Sequence, residues 1–295
     1  MTGLPIAVSP PLAPVRHPHP PRVRPTLTWM DAIAYGILLV GSAGFLLPIV
    51  FLLTGSLLNH STAISGRLHL WPNQWDFHNY PAAAGQMHFT QALANTIFVS
   101  TLCVVGQIAS ASLVGFGFAT FKFPGRDALF LIMLATLMLP AQTTIVPQYL
   151  MFRDFGWVNT YWPLIAPAWL GSPFFIFLFR QAFMQIPDEL IEAARLDGAT
   201  WFRIYRQLML PLCKPIITVV AIYSFLGAWN DYLAPLVYIN NPIHDTLSLA
   251  LAGFKGEYGV SRPGYLLAAT TLTMLPCLII FSFTQRFVSR AVQSN

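Results

Sequence analysis

Residues able to do chemistry are sparse in this chain, and they fall into three groups. His69, His78 and His88 are imidazoles of the kind that bind metals, but their spacing matches no ligand motif, so they are expected to be solvated loop residues with no metal. Asp231, in AWNDYLAPLVY, is an acid inside a long apolar run. A carboxylate there is costly in lipid, so with Trp229, Asn230 and Tyr232 it either lines a solute path or its gate, or rests in an interfacial aromatic belt. The third group is ELIEAARLDGATWFRIYRQLMLP, Glu189 to Pro211. Charged residues are 9% of the chain, yet Asp188, Glu189, Glu192, Arg195, Asp197, Arg203 and Arg206 crowd together there. No catalytic constellation is present, and no G-x-x-x-x-G-K-[ST] loop occurs, so the chain is not expected to be an enzyme and any nucleotide chemistry belongs to another polypeptide. Cys103, Cys213 and Cys277 are too scattered for a disulfide framework or a metal site and are expected to be buried thiols.

The elements that must position these residues are membrane spans. Of the 295 residues 55% are hydrophobic, and the mean hydropathy is +0.59, far from the balance of a soluble domain. A span needs about 20 mostly apolar residues. Uncharged runs of that length begin at Ala32 (core IAYGILLVGSAGFLLPIVFLL), then cover Asn95 to Phe121, Ala128 to Phe152, Phe155 to Phe179, Pro215 to about Tyr238 with Asp231 inside, and Gly264 to Thr284. Six transmembrane helices are therefore expected. Lys and Arg favour the cytoplasmic side, which sets the orientation. With both termini inside, the inner segments hold Arg16, Arg22, Arg24, Lys122, Arg126, Arg180, Arg195, Arg203, Arg206, Lys214, Arg286 and Arg290, and the outer loops only Arg67, Arg153, Lys255 and Arg262. That asymmetry explains the net charge of +5 without nucleic acid. Residues 1–30, rich in proline, read as a disordered cytoplasmic tail, and the first apolar stretch is too long for a cleaved signal.

The charged stretch then lies in the inner loop between helices four and five. Pro187, Asp188 and Glu189 suit a first helical turn, Glu192 can meet Arg195 at i, i+3, and Gly198 is placed for a left-handed cap. Thr200 can cap a second helix, TWFRIYRQLML, which Pro211 and Pro215 keep from running unchanged into the next span. Trp201, Phe202, Ile204, Tyr205 and Leu208 give that helix apolar surface. A lipid-surface role is weakened because acidic residues nearly match basic ones, which leaves a protein partner as the expectation.

Glu192, Ala193, Ala194, Asp197, Gly198 and Ala199, followed by Leu210, Pro211 and Pro215, resemble the EAA loop (about residues 186–215) of the permease subunits of binding-protein-dependent ABC importers. FHNY and ALANT around Asn79 and Asn95, FPGR from Phe123, RQAF before Ile186, and WNDYLAPL from Trp229 are similar to the carbohydrate branch, the MalG-like permeases of the maltose-transporter type. The resemblance covers about residues 30–290; the chain ends on VSRAVQSN without the glycine often found in that group, and its proline-rich tail is longer.

The resemblance implies an all-α membrane protein with the type I ABC importer permease fold, a transmembrane domain over 31–295 and a cytoplasmic coupling-helix loop. It implies a bacterial or archaeal inner membrane, with both termini cytoplasmic. The implied partners are two copies of an ABC ATPase subunit holding ATP and Mg, a second, MalF-like permease and an extracytoplasmic sugar-binding protein. In the loop it assigns polar contacts to Glu192 and Asp197 beside Arg195, the sharp turn to Gly198, close approach to Ala193 and Ala194, and the following stop to Pro211. Phe254, Lys255, Gly256, Glu257 and Tyr258, in the outer loop from Asn240 to Gly264, would face the binding protein or serve as a plain connector. The expected function is import of a sugar or oligosaccharide. The alternative is another solute such as glycerol phosphate, an amino acid or a peptide, against which stands the lack of basic residues inside the spans. Nothing resembles the repeated filter of a channel or the clustered acids of a membrane enzyme.

Overall fold

The computed structural model describes residues 29–59, 74–254 and 263–293, and among them the only β pairing is an isolated antiparallel bridge between Leu58 and Trp75. The rest is helical, as a hydrocarbon solvent requires of a chain that must satisfy its own backbone. The chain divides into two compact units, residues 1–48 and 49–295. Helix α1, Trp29–Ser56, crosses that boundary at its internal Pro48, and between Trp29 and Pro48 its apolar side chains are exposed. It begins at Trp29, so Trp29 and Met30 belong to the helix; the remainder of the expected disordered tail lies outside the described residues.

In the second unit, the short α2 (Asn79–Gln86) leads into α3 (Phe89–Thr120), a helix of 32 residues. At the α-helical rise it is about 48 Å long, enough to cross a bilayer with a turn to spare at each end. It has no proline, and its buried positions include small residues that let neighbours approach: Gly106, Ala111, Ser112 and Gly115. A side chain at Gly115 would meet Phe179 Cβ at 2.7 Å and the backbone at Arg180 N and Ile176 O, both at 3.1 Å. One at Gly106 would meet the Trp169 ring at 2.4 Å.

The third and fourth spans are not the straight runs that the apolar lengths suggest. The third is α4 (Arg126–Ala135) with a 3-10 turn to Met138, then α5 (Ala141–Asp154), the two halves bent by 102°. The cause is Pro140, which denies a backbone donor and holds Leu139 extended at ψ 119°. The fourth starts at Trp162 rather than Phe155, because residues 155–161 form turns with positive φ at Gly156 and Asn159. It is α6 (Trp162–Trp169) and α7 (Pro173–Phe183), interrupted at Gly171 with φ +84°.

The segments α8 (Asp188–Leu196), α9 (Trp201–Ile204) and α10 (Leu210–Leu212), with a π-helical stretch Tyr205–Met209 between the last two, form the charged loop. An 80° bend then leads into α11, Lys214–Asn230. The expected continuation to Tyr238 is broken at Asp231, which is extended at ψ 120°, and a separate α12 covers Leu233–Tyr238. After α13 (Leu247–Gly253), the last span is α14, Pro263–Gln293. Among the described residues α1, α3, α14 and the pair α6–α7 taken as one span are long and apolar enough to cross a membrane, and the count reaches the expected six when the two bent pairs each form one span.

Helix α3 packs against α6, α7, α11 and α13. At its C-terminal end the core gathers Phe116, Phe179, Phe183, Ile204, Tyr205 and Met209. At its N-terminal end a second core gathers Ala83, Met87, Ala92, Trp229, Leu247, Ala268 and Ala269. Because the crossing with α7 is set by backbone, Gly115→Leu cannot be absorbed by a rotamer change. We expect a loss of about 1–3 kcal/mol, read as a lower melting temperature of the detergent-solubilised chain, while Gly117→Ala, with open space around it, leaves the melt unchanged.

Candidate partner-docking site

The charged loop is two helices joined by a complete helix-stop motif. Asp197 ends α8, Gly198 takes φ +76°, and the Ala199 and Gly198 N–H groups donate to the carbonyls of Ala194 and Arg195, each at 3.0 Å. These are the two bonds of a Schellman cap, which satisfy carbonyls the helix end would leave bare. A Cβ at Gly198 would meet nothing within 4 Å, so the demand for glycine is the backbone conformation and not space. Thr200 then caps α9, its Oγ1 accepting from Arg203 N at 3.4 Å.

The second helix continues through Pro211 to Leu212 before it turns, so Pro211 lies within helix and the bend falls at Cys213. The π stretch over Tyr205–Met209 precedes it; such stretches recur at functional positions in helices.

One face of the loop is spent on the chain's own core. Ile204, Tyr205 and Met209 are buried, and Ile191, Ala194, Ala199, Trp201 and Leu208 pack around them. Trp201 meets Phe121 at 5.1 Å and lies under the Arg195 guanidinium at 4.7 Å. Arg195 therefore stacks on an indole and does not form the expected ion pair with Glu192, because the turn at Gly198 brings Trp201 back over α8. Ala194 and Ala199 serve this internal packing, whereas Ala193 is exposed.

The opposite face is free. Asp188, Glu189, Glu192, Asp197, Arg203 and Arg206 are exposed, and among them stand Leu190, Phe202 and Leu196, the last 89% exposed. Apolar side chains ringed by both signs of charge are the composition of a protein-binding surface.

The group at Asp231 is different. Trp229 is buried in the core with Phe225, its ring 5.2 Å away, Asn230 bonds back to the Leu226 carbonyl, and Tyr232 is exposed. The Asp231 carboxylate accepts from Ala234 N at 3.2 Å and its carbonyl accepts from Ser248 Oγ, so it caps α12. Phe254 packs at the end of α13 against the same core, while Lys255, Gly256, Glu257 and Tyr258 lie outside the described residues. Cys103 and Cys213 are buried and Cys277 half-buried.

The residues that organise the end of α3 remote from the loop are uncharged polar ones that charge counting passes over. Asn95 Nδ2 donates to the carbonyls of Ile243 and Asp245 at 2.8 and 2.9 Å, and Thr96 Oγ1 accepts from Leu247 N at 2.8 Å. Asn159 Oδ1 accepts from the N–H groups of Asn240 and Asn241. Their signal in the sequence is amides and hydroxyls placed within or beside apolar runs, where each is costly unless bonded.

The family model described as "Binding-protein-dependent transport system inner membrane component" matches residues 108–294. An arabinooligosaccharides transport system permease protein, AraQ of Halalkalibacterium halodurans, is 36% identical over 193 residues, 65% of this chain and 68% of the relative. The sn-glycerol-3-phosphate transport system permease protein UgpE of Pectobacterium atrosepticum is 31% identical over 274 residues, 89% and 96% of the two chains. The diacetylchitobiose uptake system permease protein NgcG of Streptomyces coelicolor is 29% identical over 267 residues, 90% and 88%. In fold, a chain of a bacterial ABC transporter that imports the acidic polysaccharide alginate superposes with a TM-score of 0.78 at 23% identity, covering 90% of this chain and 99% of that one.

The cap geometry makes a prediction independent of any partner. Gly198→Pro forbids the positive φ and removes the N–H that closes the cap, so trypsin should cut the purified chain at Arg195, Arg203 and Arg206 faster than it cuts the unaltered protein. Equal rates would contradict the joint described here.

Proposed function

We infer, from the premise that this chain belongs to the family of binding-protein-dependent transport system inner membrane components, that it is the permease subunit of an ABC importer for a neutral sugar or oligosaccharide. The single observation that carries the coupling half of this reading is the free face of the charged loop. A helix pair whose inner side is locked to the chain's own aromatic core and whose outer side presents Leu190, Leu196 and Phe202 among charges is built to be pushed by a partner. The sequence has no phosphate loop, so the ATP and Mg belong to that partner, an ATPase subunit present in two copies. Basic residues place the loop and both termini in the cytoplasm. The far end, with Asn95 and residues 240–254, then faces the extracytoplasmic binding protein. A second, related permease completes the pore.

On this reading Gly198 sets the angle of the joint, Glu192, Ala193 and Asp197 contact the ATPase, Arg195, Ala194 and Ala199 pack the joint against Trp201 and the permease core, and Pro211 carries the second helix to the bend. The half-buried Phe254 and the following Lys255, Gly256, Glu257 and Tyr258 are the segment offered to the binding protein. Trp229, Asn230, Asp231 and Tyr232, at the outer end of α11, are assigned to the solute path or its gate.

Support for a sugar comes from the relatives named for arabinooligosaccharides and diacetylchitobiose. The relative named for glycerol 3-phosphate keeps an anionic solute in view. A cavity of about 260 Å³ between α3, α11 and α14 is lined by Thr101, Val104, Ala221, Phe225, Leu226 and Cys277 among others, without a basic side chain, which disfavours a phosphate.

Two measurements test the reading. Leu196→Asp alters a side chain that supports nothing in the fold, so the permease should insert normally and co-purify with at least about tenfold less ATPase, the effect of losing roughly 1.4 kcal/mol of docking. In proteoliposomes the complex, given its binding protein, should hydrolyse ATP faster with arabinooligosaccharides, diacetylchitobiose or maltodextrins than with glycerol 3-phosphate. The reverse order would assign the anionic solute instead.

A further inference from the structure

Helix α3 touches both ends of this machine through specific polar bonds, and the inference starts from that fact. Near its C-terminus the Ser112 and Tyr205 hydroxyls lie 2.7 Å apart in a buried site. Ser112 Oγ donates to the Ile108 carbonyl at 2.5 Å, and a hydroxyl has one proton, so Tyr205 is the donor to Ser112. The Tyr205 ring also meets Phe116 at 5.3 Å. Near the N-terminus, Asn95 and Thr96 hold the segment Ile243–Leu247 by three bonds.

The two attachments are about 26 Å apart along one helix. Between them α3 has no proline and no break, whereas the third and fourth spans are interrupted at Pro140 and Gly171, and α14 carries Pro276.

We propose that Tyr205 and Asn95 are positioning residues for coupling: α3 acts as a rigid strut, clamped to the charged loop by the Tyr205–Ser112 bond and to the outer segment by Asn95, so that engagement at one end displaces the other. The inference rests on the permease reading above. It goes beyond that reading in naming the strut and the two bonds that load it.

Tyr205→Phe is a mild test, because it removes one hydroxyl and leaves Ser112 bonded to Ile108. Complexes of equal ATPase content are reconstituted, and ATP hydrolysis is measured with and without the binding protein charged with the sugars named above. A role confined to stability changes the yield of complex but not the ratio of stimulated to basal hydrolysis.

We expect Tyr205→Phe and Asn95→Leu to keep the basal rate and lower that ratio about 3- to 10-fold, the scale of one buried hydrogen bond. Ser112→Ala should lower it at least as far, since it strands the Tyr205 hydroxyl, and adding Tyr205→Phe to Ser112→Ala should cause no further loss. Additive losses, an unchanged ratio, or loss of assembly in both Tyr205→Phe and Asn95→Leu would each overturn the strut. If the unvaried complex is never stimulated, the permease reading falls with it. If it is stimulated and Tyr205→Phe behaves identically, only the strut falls.

Discussion

The rest of the structure depends on close packing around α3. Lipid supplies no hydrophobic force between helices, so a bundle in a membrane is held by tight contact and by polar bonds that have nowhere else to go. Helix α3 meets both needs. Its glycines let the Trp169 ring of α6 and the backbone of α7 approach closely, and its amides and hydroxyls bind segments far away in the sequence. At the break in the fourth span a freed backbone group is met by this helix: Ser110 Oγ lies 3.2 Å from the Ala168 carbonyl beside the interruption at Gly171.

The division of the molecule into a loop end and a far end follows from the same packing. At the loop end, aromatic rings from three elements interlock around Phe116, with Phe183 at 6.1 Å and Tyr205 at 5.3 Å. Such a cluster transmits displacement because packed cores do not deform smoothly. Arg180 adds a cation over the Phe130 ring at 4.2 Å, tying α7 to α4 near the same surface. At the far end the bonds from Asn95 and Thr96 add to the packing of the second core. A segment held by hydrogen bonds can be re-aimed by a partner more readily than one held by interdigitated rings.

Much of this was legible in the residues. The charges from Asp188 to Arg206, the glycine at 198 and the threonine at 200 have local physical meanings, and the two-helix joint follows from them. What was not legible depends on contacts between distant residues or on prolines inside apolar runs. Composition made the third span one continuous helix, yet Pro140 bends it by 102°. Glu192 and Arg195 have the right spacing for an ion pair, but Trp201 is folded back within reach and the guanidinium takes the ring. Hydropathy ran one span through Asp231 because it averages over the break at which that residue caps a new helix. Asn95, Thr96 and Tyr205 carry no charge and form no pattern by themselves; only the fold gives them partners.

The central claim is that the free face of the loop is the docking surface for an ATP-hydrolysing subunit. It is tested most directly by placing a cysteine at Leu196 and following its reaction with a membrane-impermeant maleimide, located by peptide mapping, in the permease alone and in the assembled complex. Rapid labelling of the isolated permease and strong protection once the ATPase is bound are the expected results. Equal labelling in both states would show that the partner sits elsewhere and would contradict the account.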